Sequence, residues 1–456
     1  MELLLLPDDD LLEVLRHLDV PDLLTCRLVC KRLAELALDP HVWQHRCLLD
    51  SEELYWSNPV LRLAPCLQTV HTRVNGLVDT TDALLTTRCA VKDLRLDVCQ
   101  NWIGLAIAVL QNLVALGRLR ELEIRFLMSG ISDPDEYALV TRLMKIVLAS
   151  RLERLTVWGD IPPCAQTSAA SLDRHSGQCT PPKSSLSYFR SLGASSASFF
   201  NLVLSSQAAT LKTIFVTTFH VSAFDESTVL LLAKLPNLRK LNCSLFPGLE
   251  ALAACPRLEE VTLLVFPEHP KLYRAGATKF LRRASQLRKV HLSPRRVDTY
   301  ADFVTALVAS GASNVEELKI SSIPMRSPQA QSVLLKALPS LPALRVLELE
   351  KVPDELLRCI TPALAPRLQI LVVTHAGKLA DRPCGHAWLH VDAVKAVQRA
   401  NPSLRVFVDN DTPLYCPDDE LCKLCALDCH RGRFREETRT TPSSAFPQLL
   451  LPRDDF

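Results

Sequence analysis

A six-residue string with apolar residues at its first, fourth and sixth positions recurs along most of this chain. It narrows the possible folds more than any other feature. Instances are VKDLRL from Val91, LRELEI from Leu119, LERLTV from Leu152, LKTIFV from Leu211, LRKLNC from Leu238 and LEEVTL from Leu258. LRKVHL from Leu287, VEELKI from Val315, LRVLEL from Leu344 and LQILVV from Leu368 follow, and LRVFVD from Leu404 breaks the last position. Successive starts lie 28, 33, 59, 27, 20, 29, 28, 29, 24 and 36 residues apart. A period in this range means stacked supersecondary units, each needing its neighbours to bury its apolar face. The 59-residue gap is expected to conceal a degenerate repeat.

A short parallel strand accounts for the string, with positions one, four and six buried and the residues between them facing out. The intervening stretches carry apolar residues at helical spacing, as in Tyr137, Val140, Leu143, Met144 and Val147, or Phe303, Leu307 and Val308. Pro236 and Pro342, in LPNLRKL and LPALRVL, stop the helix just before the strand begins. Leucine supplies 83 of the 456 residues, well above ordinary usage. The pattern resembles leucine-rich repeats. That resemblance implies an α/β solenoid, a horseshoe with parallel strands on the concave face and helices on the convex face.

The first fifty residues are punctuated differently. Asp8 can cap a helix whose apolar positions Leu11, Leu12, Leu15 and Leu18 share one face. Pro21 suits the first turn of a second helix that carries Leu23, Leu24, Leu28 and Val29, and Asp39-Pro40 repeats the device before Val42 and Trp43. A unit this small, below about 70–80 residues, is expected to lean on a neighbour or partner.

Leu6-Pro7-Asp8, Leu18, Pro21-Asp22-Leu23, Val29-Cys30-Lys31-Arg32, Asp39-Pro40 and Trp43 together resemble an F-box. Leu33 stands where that family often has tryptophan. The resemblance implies a three-helix module docking onto a Skp-type adaptor, and through it onto a cullin and RING scaffold for ubiquitin transfer. By analogy the adaptor contacts would be Leu6, Pro7, Leu11, Leu15, Leu23 and Val29, with Trp43 inside the module. The expected organisation is an F-box over 1–48, a helical linker and solenoid cap over 49–89, and leucine-rich repeats over 90–412. A flexible Pro/Ser-rich insertion at about 160–187 and a Cys-containing cap or tail over 413–456 complete it. Thr180-Pro181 in the insertion is a candidate phosphate acceptor.

A protein target would meet the residues between the buried positions of the strands. Arg125, Trp158, Phe215, His291 and Lys319 are the candidate target contacts, with the aromatics first because such side chains dominate binding hot spots. Fifty-two lysines and arginines balance 50 acidic residues, and both signs alternate along the strands. That argues against a nucleic-acid groove, which shows one sign.

The opening MELLLLPDDDLL lacks the basic region and long apolar stretch of an export signal, and no stretch matches the roughly 20 apolar residues of a membrane span. A soluble chain of the cytoplasm or nucleus is expected, with the sixteen cysteines reduced. Cys416, Cys422, Cys425 and Cys429 are zinc candidates, with His430 beside them and Cys384, His386 and His390 as distant ligands; a cysteine-containing cap is the alternative. No phosphate loop, HExxH helix or GxSxG turn occurs, so the expectation is a non-catalytic chain without a cofactor. The function these features point to is a substrate-recognition subunit of an SCF-type ubiquitin ligase. The alternative is a leucine-rich binding or inhibitor scaffold uncoupled from a ligase.

Overall fold

Each string that the one-four-six pattern places on a strand is a strand in the computed structural model. In the ten unbroken strings every first, fourth and sixth side chain is at most 4% exposed. The structure describes residues 3–49, 54–74, 79–127, 134–159, 184–193, 197–217, 226–294, 296–309, 313–321, 327–374 and 385–408. The chain divides into two units, 1–287 and 288–456.

The first unit opens with helices α1 (Asp8–His17), α2 (Val20–Cys26), α3 (Lys31–Leu36) and the single turn α4 (Pro40–Trp43). Strands follow in chain order: β1 (Cys47–Leu48), β2 (Cys66–Val74), β3 (Ala90–Cys99), β4 (Glu121–Leu127), β5 (Arg154–Trp158), β6 (Tyr188–Leu192), β7 (Thr213–Thr217), β8 (Lys240–Ser244) and β9 (Glu260–Val265). Each pairs in parallel with the next. The second unit repeats the arrangement with β10 (Lys289–Pro294), β11 (Glu317–Ile320), β12 (Val346–Glu350), β13 (Ile370–Thr374) and β14 (Arg405–Val408). Helices or helical turns alternate with the strands, as Pro134–Ala149 and Val297–Val308 do, with Val140, Leu143, Met144 and Phe303 fully buried. The fold class is an α/β solenoid.

Beside the two-residue β1, two strands escape the string because their sixth position is a hydroxyl residue. In β6, Leu186, Phe189 and Ser191 are the buried triplet, and this is the repeat concealed in the 59-residue gap. In β2 the triplet is Leu67, Val70 and Thr72, so strand pairing already operates within 49–89, between helices Leu54–Leu63 and Asp79–Thr86. The last string is displaced by one residue. Val406 and Val408 pair with Leu371 and Val373 and point inward, leaving Phe407 out.

The turns between helix and strand are held by side-chain amides, buried at Gln207 and part-buried at Asn112 and Gln286. Gln207 accepts from the Ser185 and Leu186 backbone N–H groups, Asn112 donates to the Leu84 and Thr87 carbonyls, and Gln286 donates to those of Ala253 and Cys255. Each satisfies backbone groups that stacking withdraws from water. Ser184–Ser187, counted with the insertion on composition, are part of this repeat: Ser185 donates its hydroxyl to the Leu152 carbonyl at 2.8 Å. The insertion's residues 160–183 and the tail beyond 408 lie outside the described residues. Gly193 ends β6 at φ +120°, where an added Cβ would stand 2.7 Å from the Gly159 carbonyl oxygen. Only glycine lets the chains close up there.

Candidate partner-binding surfaces

The amino-terminal helices form a small core around Leu11, Leu15, Leu23, Leu33, Val42 and Trp43, all at most 5% exposed. Trp43 donates its indole N–H to the Ala37 carbonyl at 2.7 Å. Arg46 lies over the Trp43 ring and donates to the Leu15, Arg16 and Leu18 carbonyls at the end of α1. It also fixes the helices to the repeats, because its own carbonyl accepts from the Gln68 N–H of β2.

Three residues expected at the adaptor face belong to this core. Leu11, Leu15 and Leu23 are buried within the chain, because a bundle of three short helices needs those leucines for its own interior. Leu6 is half-buried, while Pro7 and Val29 are exposed. Three leucines the sequence did not single out for docking stand in solvent: Leu4 and Leu5 in the turn ahead of α1, and Leu28 beside Val29 in the turn between α2 and α3. Arg32 links the two turns, donating to the Leu4 and Leu6 carbonyls at 2.7 Å each and to the Asp8 carboxylate at 2.6–2.8 Å.

A family model described as F-box-like matches residues 3–49. The amino terminus is an F-box-like domain. No curated protein matches the chain. Among solved structures, one from the yeast Rad7 and Elc1 complex aligns with 88% of this chain and 92% of its own, at 13% identity and a TM-score of 0.37. An internalin, inlF of Listeria monocytogenes str. 4b F2365, aligns with 78% of this chain and 88% of its own, at 15% identity and a TM-score of 0.31.

Beyond the F-box-like domain, the face of the sheet opposite the helices carries the other candidate residues. Over β3 to β5 it is a lattice of opposite charges. Arg125 pairs with Glu123 at 2.8 Å and lies 4.0 Å from Asp97, Arg154 pairs with Glu121 at 3.4 Å, and Arg95 meets Asp93 and Glu123. Burial raises the pKa of Asp93 and of Glu121, and the neighbouring Arg95 and Arg154 respectively oppose that shift.

From β5 to β8 the face turns aromatic. Trp158 has the Arg125 guanidinium 5.4 Å from its ring centre and that of Arg190 at 5.2 Å. Arg154 stacks on Tyr188 at 4.0 Å, and Tyr188 lies 5.5 Å from Phe215, which Lys240 overhangs. Arg125, Trp158 and Phe215 thus belong to one patch. Tyr188 and Arg190, which complete it, sit on the concealed strand β6, whose signal in the sequence is Leu186-x-x-Phe189 with serine at the sixth position.

His291 and Lys319 belong to the second unit, where they are register partners on β10 and β11. His291 shares a 2.8 Å hydrogen bond with Ser321, and Lys319 is paired with Glu348. The zinc candidates Cys416, Cys422, Cys425 and Cys429 lie outside the described residues, as does Thr180. Among the described residues no group of three or more His, Cys, Asp or Glu is placed to hold a metal, and no helix is long and apolar enough to cross a membrane. Burial pushes the Cys89 thiol up to about 12 and that of Cys255 to about 11, so both are protonated packing residues.

Proposed function

We propose that this chain is the substrate-recognition subunit of an SCF-type ubiquitin ligase, itself without catalytic residues. Its F-box-like domain binds a Skp-type adaptor, and through it a cullin and RING scaffold. The face of the repeats opposite the helices holds a protein target. The observation that carries the reading is the F-box-like match over 3–49 together with apolar side chains of that domain left in solvent: Leu5 is 76% exposed, Leu28 81% and Val29 65%. Contiguous exposed apolar residues mark interaction sites, and burial of each leucine contributes about 1.5–3 kcal/mol. On this reading the adaptor contacts are Leu4, Leu5, Leu28 and Val29 with Leu6 and Pro7 beside them. In an SCF assembly bond making falls to other subunits, and this chain supplies proximity.

Co-expression with a Skp-type adaptor and a cullin tests the reading. The full chain should co-purify with both in equal amounts. A chain that purifies alone overturns the ligase role and leaves a binding scaffold.

A further inference from the structure

Between Lys271 and Arg296 the sequence carries nine lysines and arginines and no aspartate or glutamate, in a chain whose net charge is only +2. The structure sorts these cations by role. Arg288 and Lys289 pair with Glu316 and Glu317. Five others lie on the helix Lys271–Arg283, which follows β9. Arg274 is half-buried on its flank, whereas Lys271, Lys279, Arg282 and Arg283 are exposed and make no ion pair among the described residues. With about 100° between successive residues, these four fall within roughly 120° of arc, together with Leu272, which is 72% exposed. The opposite arc, Gly276, Ala277, Phe280 and Leu281, is buried against the repeats. The Glu250 carboxylate reaches the helix on that inner side, where its Oε2 would stand 2.8 Å from a Cβ at Gly276. Glu268, exposed just ahead of the helix, pairs with none of the four cations.

The fold accounts for only part of this face. Arg282 and Arg283 stand in the last turn, where a positive charge complements the helix dipole. Lys271 stands at the other, positive end, and Lys279 lies three and four residues from Arg282 and Arg283, a like-charge spacing that weakens a helix. Leu272 adds nothing to the core. We propose that this face is a peripheral docking site for a membrane surface rich in anionic lipid. The four cations lie among the headgroups, and Leu272 enters the edge of the acyl layer.

Charge spacing and the leucine select lipid over other polyanions. The cations are spread over about 18 Å of helix, so a laterally fluid layer of headgroups can arrange itself beneath them, whereas an acidic peptide would need carboxylates at matched spacing. A nucleic-acid backbone supplies phosphates but no apolar layer for Leu272, and the exposed arc has no aromatic side chain to stack on a base. Near an anionic leaflet each Lys or Arg contributes about fivefold in partition, and an inserted apolar side chain adds to that. The contact is independent of the proposed function, because none of these residues belongs to the F-box-like domain or to the strands.

Its test is co-sedimentation of the full-length chain with vesicles of phosphatidylcholine alone or with about 30% phosphatidylserine, at about 0.1 M salt. The chain should partition onto the anionic vesicles about a hundredfold or more over the neutral ones, and about 0.5 M salt should remove most of that difference. Lys279→Gln with Arg283→Gln should lower anionic partition about twentyfold. Arg282→Lys with Arg283→Lys should change it less than about twofold, because a headgroup layer reads charge and not the guanidinium fork. Leu272→Gln should lower it severalfold and leave the salt dependence as it is. Urea midpoints of all variants should match wild type, since the side chains are exposed. Equal partition onto the two kinds of vesicle overturns the assignment, as does anionic binding that survives the two glutamine substitutions or is lost equally in the two lysine ones. Tighter retention by duplex DNA or by polyglutamate at equal charge also overturns it, naming a nucleic acid or an acidic protein as the occupant instead.

Discussion

The F-box-like domain and the repeats treat leucine in opposite ways. In the repeats the three apolar positions of each unbroken string are buried, because every unit lies on a neighbour that completes it. The domain, with fewer than fifty residues, closes a core around Trp43 and leaves Leu4, Leu5, Leu28 and Val29 in solvent. The lesson concerns size and stacking. A repeat borrows its missing surface from the same chain, whereas on the proposed function the small helical module, with the same kind of residue in solvent, borrows it from the adaptor.

The sharpest way to break this contrast is to shorten one leucine in each region. Leu94→Ala, in the fully buried fourth position of β3, should destabilise the repeats by about 2–5 kcal/mol, read as a lower urea midpoint. Leu28→Ala should move the same midpoint by less than about 0.5 kcal/mol. Equal effects would mean that Leu28 belongs to the chain's own core. The complementary experiment charges the exposed turn. Leu28→Asp with Val29→Asp should lower adaptor affinity about a hundredfold or more, while thermal unfolding stays that of wild type. Retained capture would remove this turn from the adaptor face.

The contrast also explains how much could be read from the sequence. The string announced its strands because burial there obeys a fixed spacing. It went silent at β2 and β6, where Thr72 and Ser191 occupy the sixth position: a small hydroxyl side chain fits the interior but carries no apolar signal. With β6 concealed, Arg190 and Tyr188 of the aromatic patch carry no signal in the string. In the F-box-like domain the motif was legible and the orientation was not. Heptad-like spacing shows which leucines share a face, but a three-helix bundle spends one such face on its own core. Leu11, Leu15 and Leu23 therefore went inside, and the residues of the turns stayed out.

Arg32 refines the comparison, since it shows how an exposed face is kept in shape. Its guanidinium gathers the Leu4 and Leu6 carbonyls and the Asp8 carboxylate, and so holds the first turn against the start of α3. With the guanidinium part-exposed, solvent screens the ion pair and the main loss on truncation is order. Arg32→Ala should therefore weaken adaptor binding by about 1–2 kcal/mol. It should also speed hydrogen exchange of the backbone N–H groups at the start of α1. Arg32→Lys, a point charge without the fork, should recover only a fraction of the affinity.

The smallest effect separates the two regions by pH. His269, 4% exposed after β9, accepts the Phe266 N–H at its Nδ1 at 3.1 Å and packs edge-on to the Phe266 ring. Burial pulls its pKa down to about 4, with nearby Glu268 opposing and Arg274 reinforcing the shift. The unfolded chain, with a histidine pKa near 6.5, therefore binds the proton first. Stability that is complete above about pH 6.5 is lost as pH falls from there through about 4. Between pH 7 and 6 the loss should be on the order of 1 kcal/mol or less. Asp93 and Glu121 act in the opposite sense, since their raised pKa values let acid relieve a buried charge. Ordinary carboxylates titrate near pH 4, so the pH 7 to 6 interval belongs mainly to the histidine. His269→Gln removes the proton site and should flatten the urea midpoint across that interval, whatever it does to the midpoint at pH 7. An unchanged slope would show that the ring is already free to protonate in the fold, and that the turn after β9 is looser than the repeats on either side of it.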